Sequence, residues 1–341
     1  MVFIHKRNLP KILEATYKQV PFANSIILSP FRLILNPLSY SKSKSLTLPS
    51  ILSILFTLLS YLSYTQSNFL QYKDLSIGLS LFGLVFFSIQ SDLQDTKGKK
   101  ENFYHITLNF IANVLNMSIL SILIGDQRIN NRKFGVFTLV SSIHVLIYFT
   151  VWTEYHKKFL YTSMNVLKLL EIKYLLALLS LSIPVFPWIP SFVIGKYTVL
   201  DIVCGIVSFW ALGVAVYYIA KGAEYRGNVG LVNVLPLFIM NTAMFCWVNS
   251  DVYENYGFIA VFVHCLNFSI LVCKIKIFAA AKVQFKWVQA EVLIEFFFVF
   301  QEVYYRVLPT FESFVVFCAF VVLRYTTFTF SVIRQIKSLY G

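Results

Sequence analysis

Ten apolar stretches, each close to the length of a bilayer crossing, govern what this chain can fold into. They run over 49–66, 75–90, 103–125, 134–152, 172–190, 197–220, 229–249, 257–273, 287–304 and 312–331. A hydrocarbon layer about 30 Å thick accepts roughly 20 apolar residues per helix. Inside it each backbone N–H and C=O must be satisfied within its own segment, so helices are the form these stretches take. Only 13% of residues are charged while 57% are hydrophobic, against roughly 25% charged in ordinary soluble domains. The expectation is an all-α polytopic membrane protein with about ten transmembrane helices. A cytosolic N-terminal segment over 1–48 precedes a ten-helix membrane domain over 49–331, and 332–341 form a short cytosolic tail.

The net charge of +13 invites a nucleic-acid reading, but the basic residues sit in short caps and loops. A surface stripe is the footprint nucleic acid requires, so no nucleic-acid partner is expected. The distribution fits the positive-inside rule instead. With the N-terminus in the cytosol, the cytosolic segments hold 21 Lys and Arg and the opposite side holds 6. Both termini are then cytosolic. The five cysteines (Cys204, Cys246, Cys265, Cys273, Cys318) lie in or at the ends of apolar spans with no CxxC pair, which excludes a zinc ribbon or a disulfide framework. His5–Arg7 is followed by polar sequence, so no cleavable signal peptide is expected.

Ahead of the first span, Phe22, Ile26, Ile27, Leu28, Phe31, Leu33, Ile34 and Leu35 surround Arg32. They read as an amphipathic helix on the membrane surface or as a disordered tail. Between the second and third spans lies the most charge-dense stretch, Ser91–Glu101. Asp92 and Asp95 share one helical face, beside Lys97, Lys99 and Lys100. Carboxylates of this kind hold Mg²⁺ through hard oxygen ligands, and lysines hold phosphate. A solvated mixed-charge loop is the bland alternative.

In the third span His105, Asn109, Asn113 and Asn116 recur at spacings of four, four and three, a single helical stripe. Polar groups in hydrocarbon must find partners or face a wet cavity, so the stripe looks inward, as interhelical glue or as a cavity wall. In the ninth span Glu291, Glu295 and Glu302 also share a face. Glu291 reads as interfacial beside Lys286. Asp201 and Arg324 are candidate partners for the three glutamates, and Glu295, Glu302 and Asp201 carry a secondary-transporter alternative. No Walker loop, GxGxxG, HExxH or GxSxG motif is present.

At the end of the fourth span the chain reads Val151-Trp152-Thr153-Glu154-Tyr155-His156-Lys157-Lys158-Phe159-Leu160-Tyr161. This resembles the W-E-E-Y-H…L-Y segment of eukaryotic choline/ethanolaminephosphotransferases, membrane members of the CDP-alcohol phosphatidyltransferase superfamily. Other similar segments follow the same order. They are Tyr17-Lys18, Ser29-Pro30-Phe31 and Leu46-Thr47-Leu48 upstream, then Lys274–Ala279 with Lys282–Phe285, and finally Val332–Leu339.

The resemblance implies a ten-helix fold with the N-terminus inside, the endoplasmic reticulum membrane (or the Golgi) as location, and a homodimer or a heterodimer with an active homologue. The implied reaction transfers phosphocholine or phosphoethanolamine from CDP-alcohol to diacylglycerol with Mg²⁺ or Mn²⁺. The family's catalytic signature is eroded here. Asp92 and Asp95 keep its first spacing. Thr96 replaces glycine, Lys99-Lys100 replace alanine-arginine, Asn109 takes the second glycine, Asn113 the third aspartate and Met117 the fourth. A register shifted by one puts Ser91, Gln94, Ala112 and Asn116 at the four positions counted from the first aspartate.

In either register the presumed base is gone, because asparagine cannot accept a proton from an alcohol at neutral pH. Asp92, Asp95 and Asn113 stand as implied metal ligands, and Lys97, Lys99, Lys100 and Asn109 as implied substrate contacts. His105 and Asn116 are the remaining candidates for catalysis. A non-catalytic relative that binds lipid or nucleotide is the alternative within the same family.

Overall fold

The computed structural model describes residues 47–65, 103–126, 132–157, 169–185, 192–194, 197–226, 232–286, 288–305 and 309–338. It also describes positions 8, 10–13, 17–18, 79, 82–83, 86, 160–161 and 167. The amphipathic stretch 22–35, Asp92, Asp95, Lys97, Lys99 and Lys100 lie outside the described residues. The backbone of His105 and Asn109 is helical, and their side chains lie outside what is described.

The described residues are dominated by helices: α1 Thr47–Thr65, α2 Phe103–Asp126, α3 Arg132–Lys157, α4 Leu169–Val185 and α5 Val199–Arg226. Then come α6 Leu235–Val248, α7 Asp251–Ala280, α8 Ala290–Phe300 and α9 Thr310–Lys337. Each falls on an apolar stretch read from the sequence. Within 75–90, Leu79, Phe82, Gly83 and Phe86 are helical. Four of the described helices are long and apolar enough to cross a membrane, over Lys133–Lys157, Val199–Gly222, Asp251–Ala280 and Thr310–Lys337. Helix α6 (14 residues) and α8 (11 residues) are shorter than the stretches they occupy. Pro236 stands in the first turn of α6, where its missing N–H costs nothing. Helix α8 passes directly into a π-helical turn, Gln301–Tyr305.

Two units make up the chain. One holds 1–17, 136–160 and 208–341; the other holds 18–135 and 161–207. In the second, α2 packs on both α1 and α4, and Phe56 stacks on Phe86 at 5.5 Å between ring centroids. A two-residue hairpin, Val193–Ile194 against Tyr197–Thr198, leads into α5. The hydroxyl of Thr198 accepts from the Asp201 N–H at 3.1 Å, while the Asp201 carboxylate accepts from the Thr198 N–H at 3.0 Å and hydroxyl at 2.8 Å. This reciprocal arrangement is a capping box. Asp201 therefore serves the start of its own helix.

In the first unit α7 packs on α6, α8 and α9, and α6 also packs on α8. Helix α7 is buried over 78% of its apolar window and α3 over 72%, whereas α5 and α9 are buried over only 28% and 22%. The outward faces of those two carry Ile206, Phe209, Leu212, Val216, Leu323 and Phe330. Exposed apolar side chains repeated along a helix mark contact with lipid or another apolar partner. Helix α7 bends at Tyr256, whose φ of −134° leaves the helical region. It ends in a Schellman motif, with Val283 N–H donating to the Phe278 carbonyl and Lys282 N–H to that of Ala279. All five cysteines are free thiols.

Candidate functional site

Asn116 of the asparagine stripe on α2 lines a narrow polar crevice in the second unit. Its walls include Ser53 and Thr57 of α1, Asn116 of α2, Lys173 and Ser180 of α4, and Gly83. Helix periodicity places the stripe: Asn113 and Asn116 are one turn apart, and both are buried. Asn116 Nδ2 donates to Ser53 Oγ at 2.7 Å, and the Ser53 hydroxyl donates to the Gly83 carbonyl at 3.1 Å. This relay fixes which end of the amide faces Ser53 and leaves Asn116 Oδ1 buried without a hydrogen-bond partner.

Asn113 lies beside Lys173. The Lys173 Nζ donates to Asn113 Oδ1 at 2.7 Å, and the lysine side chain is buried, at 1% exposed. The long lysine stem packs among apolar neighbours while its amine reaches the amide oxygen. Sequence reasoning missed Lys173, a lone basic residue inside an apolar run with no periodic partner.

Asn113 is the one proposed metal ligand whose side chain is described, and its surroundings do not suit Mg²⁺. An amide oxygen carries no charge, and the Lys173 amine already occupies it.

The first unit holds a second polar cluster, centred on the ninth-span glutamates. Glu291, Glu295 and Glu302 are all buried, as their shared face requires. Glu295 Oε1 accepts from His264 Nδ1 at 2.6 Å and from Trp247 Nε1 at 3.2 Å, and Oε2 accepts from Asn267 Nδ2 at 2.7 Å. His264 Nε2 and both ring nitrogens of His144 are buried without hydrogen-bond partners. The two imidazoles lie 5.3 Å apart between centroids, and His144 stacks on Phe268 at 3.7 Å.

Glu291 is buried and doubly paired. Its Oε1 accepts from Lys274 at 2.7 Å and from Arg324 Nη2 at 2.9 Å and Nε at 3.1 Å. The reason is helical phase. Glu291 lies one turn before Glu295 on the inward side of α8, and α7 and α9 each bring a cation to it. Arg324 thus serves Glu291.

Two segments quoted for their family resemblance meet in this unit. Lys276 Nζ lies 2.5 Å from Glu154 Oε1, with both side chains nearly inaccessible. The Phe285 N–H donates to the Tyr155 hydroxyl at 2.9 Å.

No protein-family profile matches the chain, and no curated protein is significantly similar to it. Among the described residues no group of three or more His, Cys, Asp or Glu side chains is arranged to hold a metal ion. Among the described residues, the crevice in the second unit offers a ligand hydroxyl and amide groups and the Lys173 amine.

Proposed function

We propose that this chain is a diverged choline/ethanolaminephosphotransferase-type protein of phospholipid biosynthesis. It crosses the membrane of the endoplasmic reticulum ten times, with both termini cytosolic, and engages CDP-choline or CDP-ethanolamine together with diacylglycerol. Its transfer chemistry is attenuated or lost. The ordered series of family-like segments supports the reading, and so does the meeting of two of them through Glu154–Lys276 and Tyr155–Phe285.

The observation that carries it is the polar crevice on the asparagine face of α2. Asn113 and Asn116 fall at or beside positions where the family reaction needs aspartates. Losing a general base costs about 10²–10⁴ in rate. Asn113, already held by a lysine, gives a divalent cation little purchase, so no step is derived through one. Lys97, Lys99 and Lys100 are the residues that would meet the diphosphate, with Asp92 and Asp95 beside them.

Labelled CDP-ethanolamine and CDP-choline, presented with diacylglycerol to the purified protein in lipid nanodiscs, test the reading. Saturable binding of the CDP-alcohol is expected, with transfer about 10²-fold or more below that of a complete enzyme. Absence of both binding and transfer would overturn it. The transporter reading gains no specific support, because the Glu295 carboxylate is already bound by three donors and Asp201 caps a helix.

A further inference from the structure

The exposed charges of the first unit are sorted by end. Helices α3, α7 and α9 finish on the same side. Glu154 meets Lys276 near the last turns of α3 and α7, and Glu291 accepts from both Lys274 of α7 and Arg324 of α9. At and beyond those ends stand Lys157, Lys282, Lys286, Arg334 and Lys337, all exposed. No carboxylate among the described residues pairs with them. At the other end, the first turns of α7 and α9 carry Asp251, Glu254 and Glu312, also exposed. Lys133, half-buried at the head of α3, runs against the pattern. We propose that the cationic end of this unit binds the headgroups of anionic phospholipids in the leaflet it faces. The inference rests on the membrane-spanning part of the reading above and not on its phosphotransfer part.

Three observations combine. Helix α7 has 30 residues, about 45 Å at 1.5 Å per residue, against a hydrocarbon layer about 30 Å thick. Its two ends therefore emerge into different headgroup layers. Exposed Tyr256, Tyr304 and Tyr305 gather at the acidic end, as tyrosine rings do at a membrane interface, and Tyr256 lies 5.6 Å from Phe311 at the start of α9. Secondly, helix dipoles explain only part of the sorting. Carboxylates in first turns, and Arg334 and Lys337 in the last turn of α9, offset the dipoles, but that effect fades within a turn. Lys286 stands more than a turn past the end of α7 at Ala280. Finally, Lys282 holds a left-handed φ of 53°, which glycine adopts without steric cost. A cation kept where the backbone is strained points to a use for its charge. Lysine meets a lipid phosphate as a point charge, and arginine meets it through its planar fork.

The test places the full chain in nanodiscs of mixed phosphatidylserine and phosphatidylcholine and measures how spin-labelled forms of the two lipids compete for it. Phosphatidylserine should be preferred about fivefold or more at low salt. The preference should collapse near 1 M salt, where the Debye length is about 3 Å. Lys282→Gln combined with Lys286→Gln, Arg334→Gln and Lys337→Gln keeps each Cβ and removes the charge, so the preference should fall to within about twofold. Equal binding of the two lipids by the unaltered protein, or a preference that survives salt or the combined variant, overturns the inference. Asp251→Asn with Glu312→Gln, at the other end, should leave the preference within about twofold. A larger change there would show that net charge is sensed and would overturn the inference as well. Should the combined variant fail to fold, the salt series on the unaltered protein still decides. None of these outcomes bears on CDP-alcohol binding, whereas a chain that stays outside the discs would overturn the membrane reading and this inference with it.

Discussion

The amine of Lys276 lies 2.5 Å from the carboxylate of Glu154, and both side chains are almost wholly withdrawn from solvent. The two residues are 122 positions apart in sequence. The contact ties α3 to the last turns of α7. A charge pair so placed holds register between helices, because either charge alone in that setting is costly.

Removing one partner should therefore be far worse than removing both. Glu154→Gln or Lys276→Met alone is expected to cost about 3–5 kcal/mol, and the double variant should recover much of the loss. Unfolding followed in detergent for the two single variants and the double variant completes the cycle. Strict additivity would refute the coupling.

Glu295 gathers donors from α6 and α7 on a single carboxylate. Glu295→Ala strands the indole of Trp247, the imidazole of His264 and the amide of Asn267. Each stranded group costs about 1–3 kcal/mol, so this variant should be among the least stable in the first unit. Trp247→Phe removes one donor and leaves the carboxylate two, so its loss should be about 1 kcal/mol. Thermal melts of the two variants separate these outcomes.

The capping box before α5 gives a smaller effect. Thr198→Ala should destabilise by about 0.5–2 kcal/mol, and Thr198→Ser should be nearly neutral because the hydroxyl is kept. Hydrogen exchange at the first turn of α5 is the sensitive readout. Unchanged protection in Thr198→Ala would show that the hairpin alone holds the helix start.

Lys282 closes α7 with φ at 53°, a left-handed conformation that costs a residue bearing Cβ about 1–2 kcal/mol. Glycine removes the clash but has more freedom to lose on folding. Lys282→Gly should therefore raise the melting temperature slightly. A fall would mean that the lysine side chain contributes more than its backbone costs.

Much of this was legible in the residues. Apolar length located the helices, and the spacings of Asn113–Asn116 and Glu291–Glu295–Glu302 identified the inward faces of α2 and α8. Thr198-x-x-Asp201 is itself a readable capping pattern, hidden by treating Asp201 as an isolated intramembrane charge. What escaped were single polar residues whose meaning depends on contacts across the fold. Lys173 meets Asn113 60 positions away, and His264 meets Glu295 31 positions away. Periodicity within one helix carries no trace of either.

The oily flanks of α5 and α9 bear on how the molecule must be handled. Stripped of amphiphile in plain buffer, copies would stick through Phe209, Leu212 and Leu323 and come out of solution. Wrapped in a disc, the protein should prefer lipids whose acyl chains match the height of those flanks, and its stability should fall in discs made too thin or too thick.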